Sequence, residues 1–257
     1  MITSTANDTV RYVRSLHRRT VRHRERRFIV EGLRLAEEMH EAGQEPALVF
    51  YTAGFAERAR GRTLLEALRA SERELLGVSD PVMRFVADTK TPQGILAVVP
   101  FPQASPRGAS LILVLDGLRD PGNLGTIMRS AEAAGVEKVI TVKGTVDVFS
   151  PKVVRAAMGV HFRLPILHDR KWEEIEEEFE GRQVLLAEPG GEVPYYQVDW
   201  TQPSALIVGG EARGPGKEAA TVATRTVTVP MRGRVESLNV AMAASIILFE
   251  AARQRSP

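Results

Sequence analysis

Apolar and polar positions along this chain change period several times, and each change marks an element. Residues 12–27 read as a helix, 28–30 as a short strand, and 32–42 as a second helix that Gly43 can end. Residues 47–51 are apolar and strand-like, 63–70 helical, and 94–99 another strand. A proline-rich stretch, 100–108, follows and reads as a linker. The first part therefore predicts a small α/β domain over residues 1–100 and a linker over 101–109. Beyond it, Leu111-Ile112-Leu113-Val114-Leu115 is the unbroken apolar run of a strand buried on both faces. Helical patterns (123–135, 151–159, 171–180, 217–223, 237–253) then alternate with strand patterns (138–142, 164–167, 184–187, 206–208, 226–229). Such alternation predicts an α/β domain over residues 110–257, built on a parallel sheet with helices on both faces.

Composition narrows the class. Hydrophobic residues make up 44% and charged residues 26%, and no apolar run approaches the ~18 residues that a membrane span needs. The polar start followed by arginines does not resemble a secretory signal, so a cytoplasmic location is expected. The absence of cysteine excludes disulfides, thiolate nucleophiles and thiolate zinc sites. His17, His23, His40, His161 and His168 show no paired spacing with carboxylates, so no metal is expected. Net charge is only +2, yet Arg11, Arg14, Arg18, Arg19, Arg22, Arg24, Arg26 and Arg27 face just Asp8 and Glu25 in their segment. That density is the footprint of a phosphate-binding surface or, equally, of a solvated arginine-rich helix. A glutamate run, Glu173, Glu174, Glu176, Glu177, Glu178 and Glu180, lies far along the chain.

Three strand ends of the second domain carry glycine and polar residues: 116–125, 209–214 and 230–233. Glycine there admits positive φ and lets a ligand approach the backbone, and sites in parallel sheets gather at the carboxyl ends of strands. In the first corner Asn123 is placed to cap the following helix. Gly125 and Arg129 are four apart, and Ile127, Met128 and Ala131 around Arg129 should be packed. The guanidinium then emerges from an apolar helix, as a phosphate or carboxylate clamp or as an ion-pair partner of Glu211. The closing helix starts after Glu236, with Ser237 as its expected cap and Asn239 in its first turn, where a polar amide needs a partner. Ala241, Ala243, Ala244 and Ser245 permit close packing against a helix or a ligand.

With these residues the chain resembles the SpoU (TrmH-type) family of the SPOUT superfamily of RNA ribose methyltransferases. The family's Asn-x-Gly-x-x-x-Arg motif is matched by Asn123, Gly125 and Arg129. Its Gly-x-Glu motif with a further glycine is matched by Gly209, Glu211 and Gly214, although Ala212 stands where the family often has glycine. Its Pro-Met-x-Gly followed by Ser-Leu-Asn-Val is matched by Pro230, Met231, Gly233, Ser237, Leu238, Asn239 and Val240. The resemblance implies a deep trefoil knot, a homodimer with each site near the subunit interface, and S-adenosylmethionine as methyl donor. It implies catalytic roles for Arg129, Asn123, Glu211, Ser237 and Asn239, and cofactor contacts from Gly209, Gly210, Val229, Met231 and Leu238. Phe28 to Leu33, reading Phe-Ile-Val-Glu-Gly-Leu, resembles the family's ribosomal-protein-L30e-like substrate-binding domain. RNA contacts are then expected from Arg11, Arg18, Arg19 and Arg22, and from Lys152 and Arg155, whose alternative is a place on a charged helix surface.

The implied reaction is 2'-O-methylation of a ribose, with 23S ribosomal RNA favoured as substrate over transfer RNA. A non-catalytic RNA-binding protein on the same fold is the alternative from another class, and the presence of both Arg129 and Asn239 speaks against it. A dinucleotide-binding fold is disfavoured, because the glycines after Leu115 do not give G-x-G-x-x-G.

Overall fold

The computed structural model describes residues 1–69, 74–103, 108–210 and 214–256. The chain forms two compact units, one of Met1–Pro102 with Phe149–Phe162, the other of Gln103–Val148 with Arg163–Pro257.

In the first unit α1 (Asp8–Ser15) starts where the Asn7 side chain accepts from the Thr9 and Val10 N–H groups. Val10 and Val13 are buried, and Arg11 and Arg14 face outward. The helix expected over 12–27 is two helices, because the chain breaks after α1 and resumes as α2 (Arg19–Glu25). The buried Arg22 guanidinium heals that break, donating to the Leu16 and His17 carbonyls at 2.8 and 2.7 Å. Arg26, at φ 50°, ends α2 in the left-handed region and turns the chain into β1 (Arg27–Glu31). There follow α3 (Leu33–Glu41), β2 (Leu48–Tyr51), α4 (Ala53–Glu57), α5 (Ala59–Arg69), β3 (Leu75–Gly77), α6 (Asp80–Val86) and β4 (Ile95–Pro100). The sheet order is β1-β4-β2-β3, with β4 antiparallel to both neighbours. Val10, Val13, Ile29, Phe50, Met83 and Val98 belong to its core.

The second unit opens with β5 (Leu111–Asp116), every residue of which is buried. Next come α7 (Pro121–Ala133) and β6 (Lys138–Val142); α8 (Pro151–Ala157) follows in the chain but belongs to the first unit. The flanking Phe149 stacks on Phe101 at 3.8 Å and, with Phe162, packs beside Phe28, which explains why α8 leaves the sequence in which it is embedded. The second unit continues with β7 (Ile166–Arg170), β8 (Gln183–Ala187), β9 (Val193–Pro194), β10 (Ser204–Gly209), α9 (Lys217–Val222), β11 (Arg225–Thr228) and α10 (Val240–Arg255). Between β7 and β8 the helix expected over 171–180 is two 3₁₀ turns, Trp172–Glu174 and Glu176–Phe179. Six glutamates repel one another there, and Glu178 is drawn to the Lys138 ammonium at 2.8 Å. The seven strands are ordered β7-β6-β5-β10-β8-β11-β9 and every pairing is parallel. β10 therefore inserts between β5 and β8, strands that precede it, and sets Gly209 opposite Asp116. Helix α10 packs along α7, joined by Ser130 Oγ and Ser245 Oγ at 2.7 Å.

Candidate functional site

The parallel register brings the carboxyl ends of β10, β8 and β11 side by side, and a cavity of about 690 Å³ opens over them. That volume falls in the range of small-molecule sites. Its floor is the strand ends, Val208-Gly209-Gly210, Ala187-Glu188 and Val227-Thr228. Its walls are Val229, Pro230 and Met231 on one side, and Glu236 to Val240 with Ala243, Ala244 and Ile247 of α10 on another. The surface is thus largely apolar, with Glu188, Thr228, Glu236, Ser237, Asn239 and backbone groups as its polar elements.

Glycine is required where the loops meet. A Cβ on Gly209 would strike the backbone of Gly214 and Pro215, and one on Gly210 would strike the Gly117 carbonyl. The first two corners are therefore in backbone contact, and the Gly214 N–H donates to the Gly210 carbonyl at 3.0 Å. A second recess of about 200 Å³ lies against the same loop, lined by Asp116, Gly117, Arg119, Gly144 and Gly216 among others. Asp116 is buried at the end of β5 and accepts the Gly216 N–H at 2.7 Å, tying the end of this loop to the central strand. Burial raises the carboxyl's pKa above the ordinary aspartate value; the Gly216 N–H opposes the shift and the nearby Glu218 charge adds to it.

The structure moves both expected caps. Asp120, rather than Asn123, caps α7, its carboxylate accepting the Asn123 N–H at 2.7 Å, because the helix begins at Pro121, a residue suited to the first helical position. Asn239, rather than Ser237, caps α10 and accepts the Ala241 and Met242 N–H groups at 2.9 and 3.4 Å. The Asn239 amide also finds the partner that its position demands, since its Nδ2–H donates to Asn123 Oδ1 at 3.1 Å. The first and third motifs are thereby joined through two asparagines, 116 residues apart in sequence.

Gly209, Gly210, Val229, Met231 and Leu238 all line the large cavity, as do Ser237 and Asn239. Glu211 lies outside the described residues. Arg129 does not line the cavity; it projects into solvent from α7, while Ile127, Met128 and Ala131 beside it are buried. Of the basic residues, Arg11, Arg18, Arg19 and Lys152 are exposed. Arg22 is 3% exposed, and its expectation as an RNA contact is corrected to a structural one, since it satisfies carbonyls at the α1–α2 break. Arg155 is half-buried and bound to Asp88 at 2.8 Å. Sequence reading missed the Glu188–Gly190 corner, although Glu-Pro-Gly-Gly after an apolar strand is the same signal as in the other three. It also missed Asp116 as a loop anchor, because its partner is 100 residues away. No group of three or more histidines or carboxylates placed to hold a metal occurs among the described residues.

Comparison with known proteins matches residues 110–249 to the SpoU rRNA methylase family and residues 7–97 to an MRM3-like substrate-binding domain. An uncharacterised tRNA/rRNA methyltransferase of Synechocystis is 34% identical, over 99% of this chain and 94% of its own. The 23S rRNA (guanosine(2553)-2'-O)-methyltransferase RlmP of Bacillus subtilis is 32% identical, over 96% of this chain and 97% of its own. Among solved structures, the SpoU methyltransferase AviRb from Streptomyces viridochromogenes in complex with AdoMet superposes with a TM-score of 0.89. It is 28% identical and covers 97% of this chain and 98% of its own. An AdoMet-bound rRNA methyltransferase from Sinorhizobium meliloti gives a TM-score of 0.86 at 31% identity, covering 100% and 98%.

Proposed function

Since this chain belongs to the SpoU rRNA methylase family, we propose that its cavity binds S-adenosylmethionine and that Arg129 and Asn239 serve methyl transfer to one ribose of 23S ribosomal RNA. The enzyme is an S-adenosylmethionine-dependent RNA 2'-O-ribose methyltransferase. The single observation that carries the reading of the site is the cavity over β10, β8 and β11, with all five expected cofactor contacts lining it. The residues fit the donor. Val229, Met231, Leu238 and Ile247 offer an apolar bed for a purine, and Glu188 and Glu236 face a ligand that carries positive charge on sulfonium and ammonium. Cβ atoms at Gly209 and Gly210 would disrupt the loops that shape the floor.

When bound, the donor supplies an electrophilic methyl group, so the protein's task is to place a ribose hydroxyl in line with it and help the proton leave. Positioning is the larger contribution. Asn239, held by its cap bonds and by Asn123, presents a fixed amide at the cavity edge and orients the ribose. Ser237 adds a hydroxyl there. Arg129 binds the phosphate beside the target ribose; a guanidinium stays protonated in proteins, so it stabilises the developing alkoxide rather than taking the proton. A phosphate oxygen or water accepts it.

Arg129 lies away from the cavity lining, and Met242 and Phe249 are 57% and 51% exposed one heptad apart on α10. Both facts support a homodimer in which α10 is covered by a second copy and Arg129 serves the partner's cofactor. The placement of β10 between β5 and β8 supports a trefoil knot around the donor site. Residues 1–100 are the RNA-binding part, a reading supported by the exposed Arg11, Arg18 and Arg19. No helix among the described residues is long and apolar enough to cross a membrane; a ribosomal substrate favours the cytoplasm. The test is transfer of labelled methyl from S-adenosylmethionine to 23S or transfer RNA, with the 2'-O-methyl position mapped by alkaline resistance. Label confined to transfer RNA would overturn the ribosomal assignment, and label on a base would overturn the ribose as acceptor.

A further inference from the structure

The face of the first unit formed by α1 and α6 carries a feature that the cavity does not explain. Helix α6 buries Val82, Met83 and Val86 and turns Arg84 and Phe85 outward, leaving Phe85 40% exposed. The Arg14 guanidinium lies over that ring, its central carbon 5.6 Å from the centroid, and Nη1 donates to the Ala87 carbonyl at 3.3 Å. A ring and a cation are therefore fixed together at the surface. Arg11 is exposed on the same helix as Arg14, on the side away from Val10 and Val13. The carboxylate at the edge of this face, Asp88, is bound by Arg155 at 2.8 Å and lies 3.8 Å from the His17 ring, and the other carboxylates of the two helices, Asp8 and Asp80, sit in their first turns, set against Arg11, Arg14 and Arg84.

We propose that Phe85 and Arg14 form a stacking subsite for one unpaired base of the RNA substrate, with Arg11 and Arg84 holding the flanking phosphates. The proposal rests on the RNA-methylating function above. A base offers a π face that stacks on an aromatic ring or a guanidinium plane, and stacking tolerates any base. In a duplex both faces of each base are already stacked, and recognition passes to backbone and groove shape. The subsite thus selects a loop or bulge over a continuous helix.

The test uses the full chain with two fluorescein-labelled RNAs, a 20-nucleotide oligouridylate and a hairpin duplex of the same length, and measures binding by polarisation across a salt series. Phe85→Ala is expected to weaken the single strand by about tenfold and to leave duplex affinity and the salt slope unchanged, while Phe85→Trp restores binding. Arg11→Ala should weaken both RNAs and lower the salt slope by about 1. With 23S ribosomal RNA as substrate, Phe85→Ala should raise KM for RNA and keep kcat. Wild-type affinity for the single strand in Phe85→Ala, or an equal loss on both RNAs, would overturn the subsite alone. Failure of the wild-type chain to bind either RNA would overturn the RNA-binding reading with it.

Discussion

Asn239 holds two positions at once, as the cap of α10 and as the link to Asn123, and its variants can separate them. Asn239→Ala removes the two cap bonds, at 2.9 and 3.4 Å, and the Nδ2–H bond to Asn123 at 3.1 Å. A cap is worth about 1 kcal/mol, and a bond between exposed amides about 0.5 kcal/mol, so the loss is about 1.5 kcal/mol. For a unit of this size that lowers Tm by about 3–6 °C. Asn239→Ser keeps a cap oxygen and loses only the reach to Asn123, so Tm should fall by about 1–2 °C. If the amide orients the ribose, the two variants should nevertheless lose methyl transfer alike, by about tenfold or more in kcat. Thermal unfolding and single-turnover methylation of 23S RNA at saturating donor would read the two effects. Full kcat in Asn239→Ser would reduce Asn239 to a cap, and an unchanged Tm in Asn239→Ala would show that the cap reasoning is wrong.

Three further outcomes follow from the same geometry. Arg129→Lys should retain Tm, because the side chain is exposed, and lose about tenfold or more in kcat, because an ammonium cannot reproduce the planar fork on a phosphate; full activity would remove Arg129 from the chemistry. Arg22→Ala should cost about 2–3 kcal/mol in unfolding by denaturant, since two carbonyls lose a charged donor, whereas Arg18→Ala should leave stability alone and weaken RNA binding uniformly; the reverse pattern would refute the assignment of the two arginines. The raised pKa of Asp116 gives its sign directly: the folded state holds this proton more tightly than the unfolded chain, so its contribution is fully present below the ordinary aspartate pKa and is lost as pH rises through the folded value. Asp116→Asn keeps an acceptor for the Gly216 N–H and loses the charge, so its Tm relative to wild type should improve as pH rises from about 3.5, below the ordinary aspartate pKa, to about 8; a parallel pair of Tm curves across that range would contradict the burial argument.

The elements most legible in the sequence are those whose pattern and packing agree. Residues 138–142 are a strand with the limits expected, and the apolar run from Leu111 is buried throughout. Errors fall where a long-range partner decides. The break between α1 and α2 is stabilised by Arg22 reaching back to two carbonyls, and no local pattern announces it. Residues 171–180 are expected as a helix, but mutual repulsion among the glutamates and the pull of Lys138 leave only 3₁₀ turns. The short strands β3 and β9, of three and two residues, carry too little pattern to be seen.

The candidate site was legible for a different reason. Backbone crowding at a strand end restricts residue identity more tightly than burial does, since many apolar side chains fill a core but only glycine fits where Gly210 meets the Gly117 carbonyl. Such positions appear in the sequence as glycines grouped with polar residues at strand ends, and the three corners could be found without knowing the sheet. What the letters could not give is their order in space. The sheet places β10 between β5 and β8, so the first corner touches the second through Gly117 and Gly210, and the third motif reaches the first through Asn239 and Asn123. The caps were misassigned for the same reason, because either neighbour of a helix start can supply an oxygen. Asn123 is released from capping α7 by Asp120, and that release leaves its side-chain oxygen to accept from Asn239. A substitution at Asp120 should therefore act on the site through Asn123: Asp120→Ala leaves the Asn123 N–H without its acceptor, and loss of methyl transfer exceeding the fall in Tm would show that the first motif works as a coupled pair of cap and link.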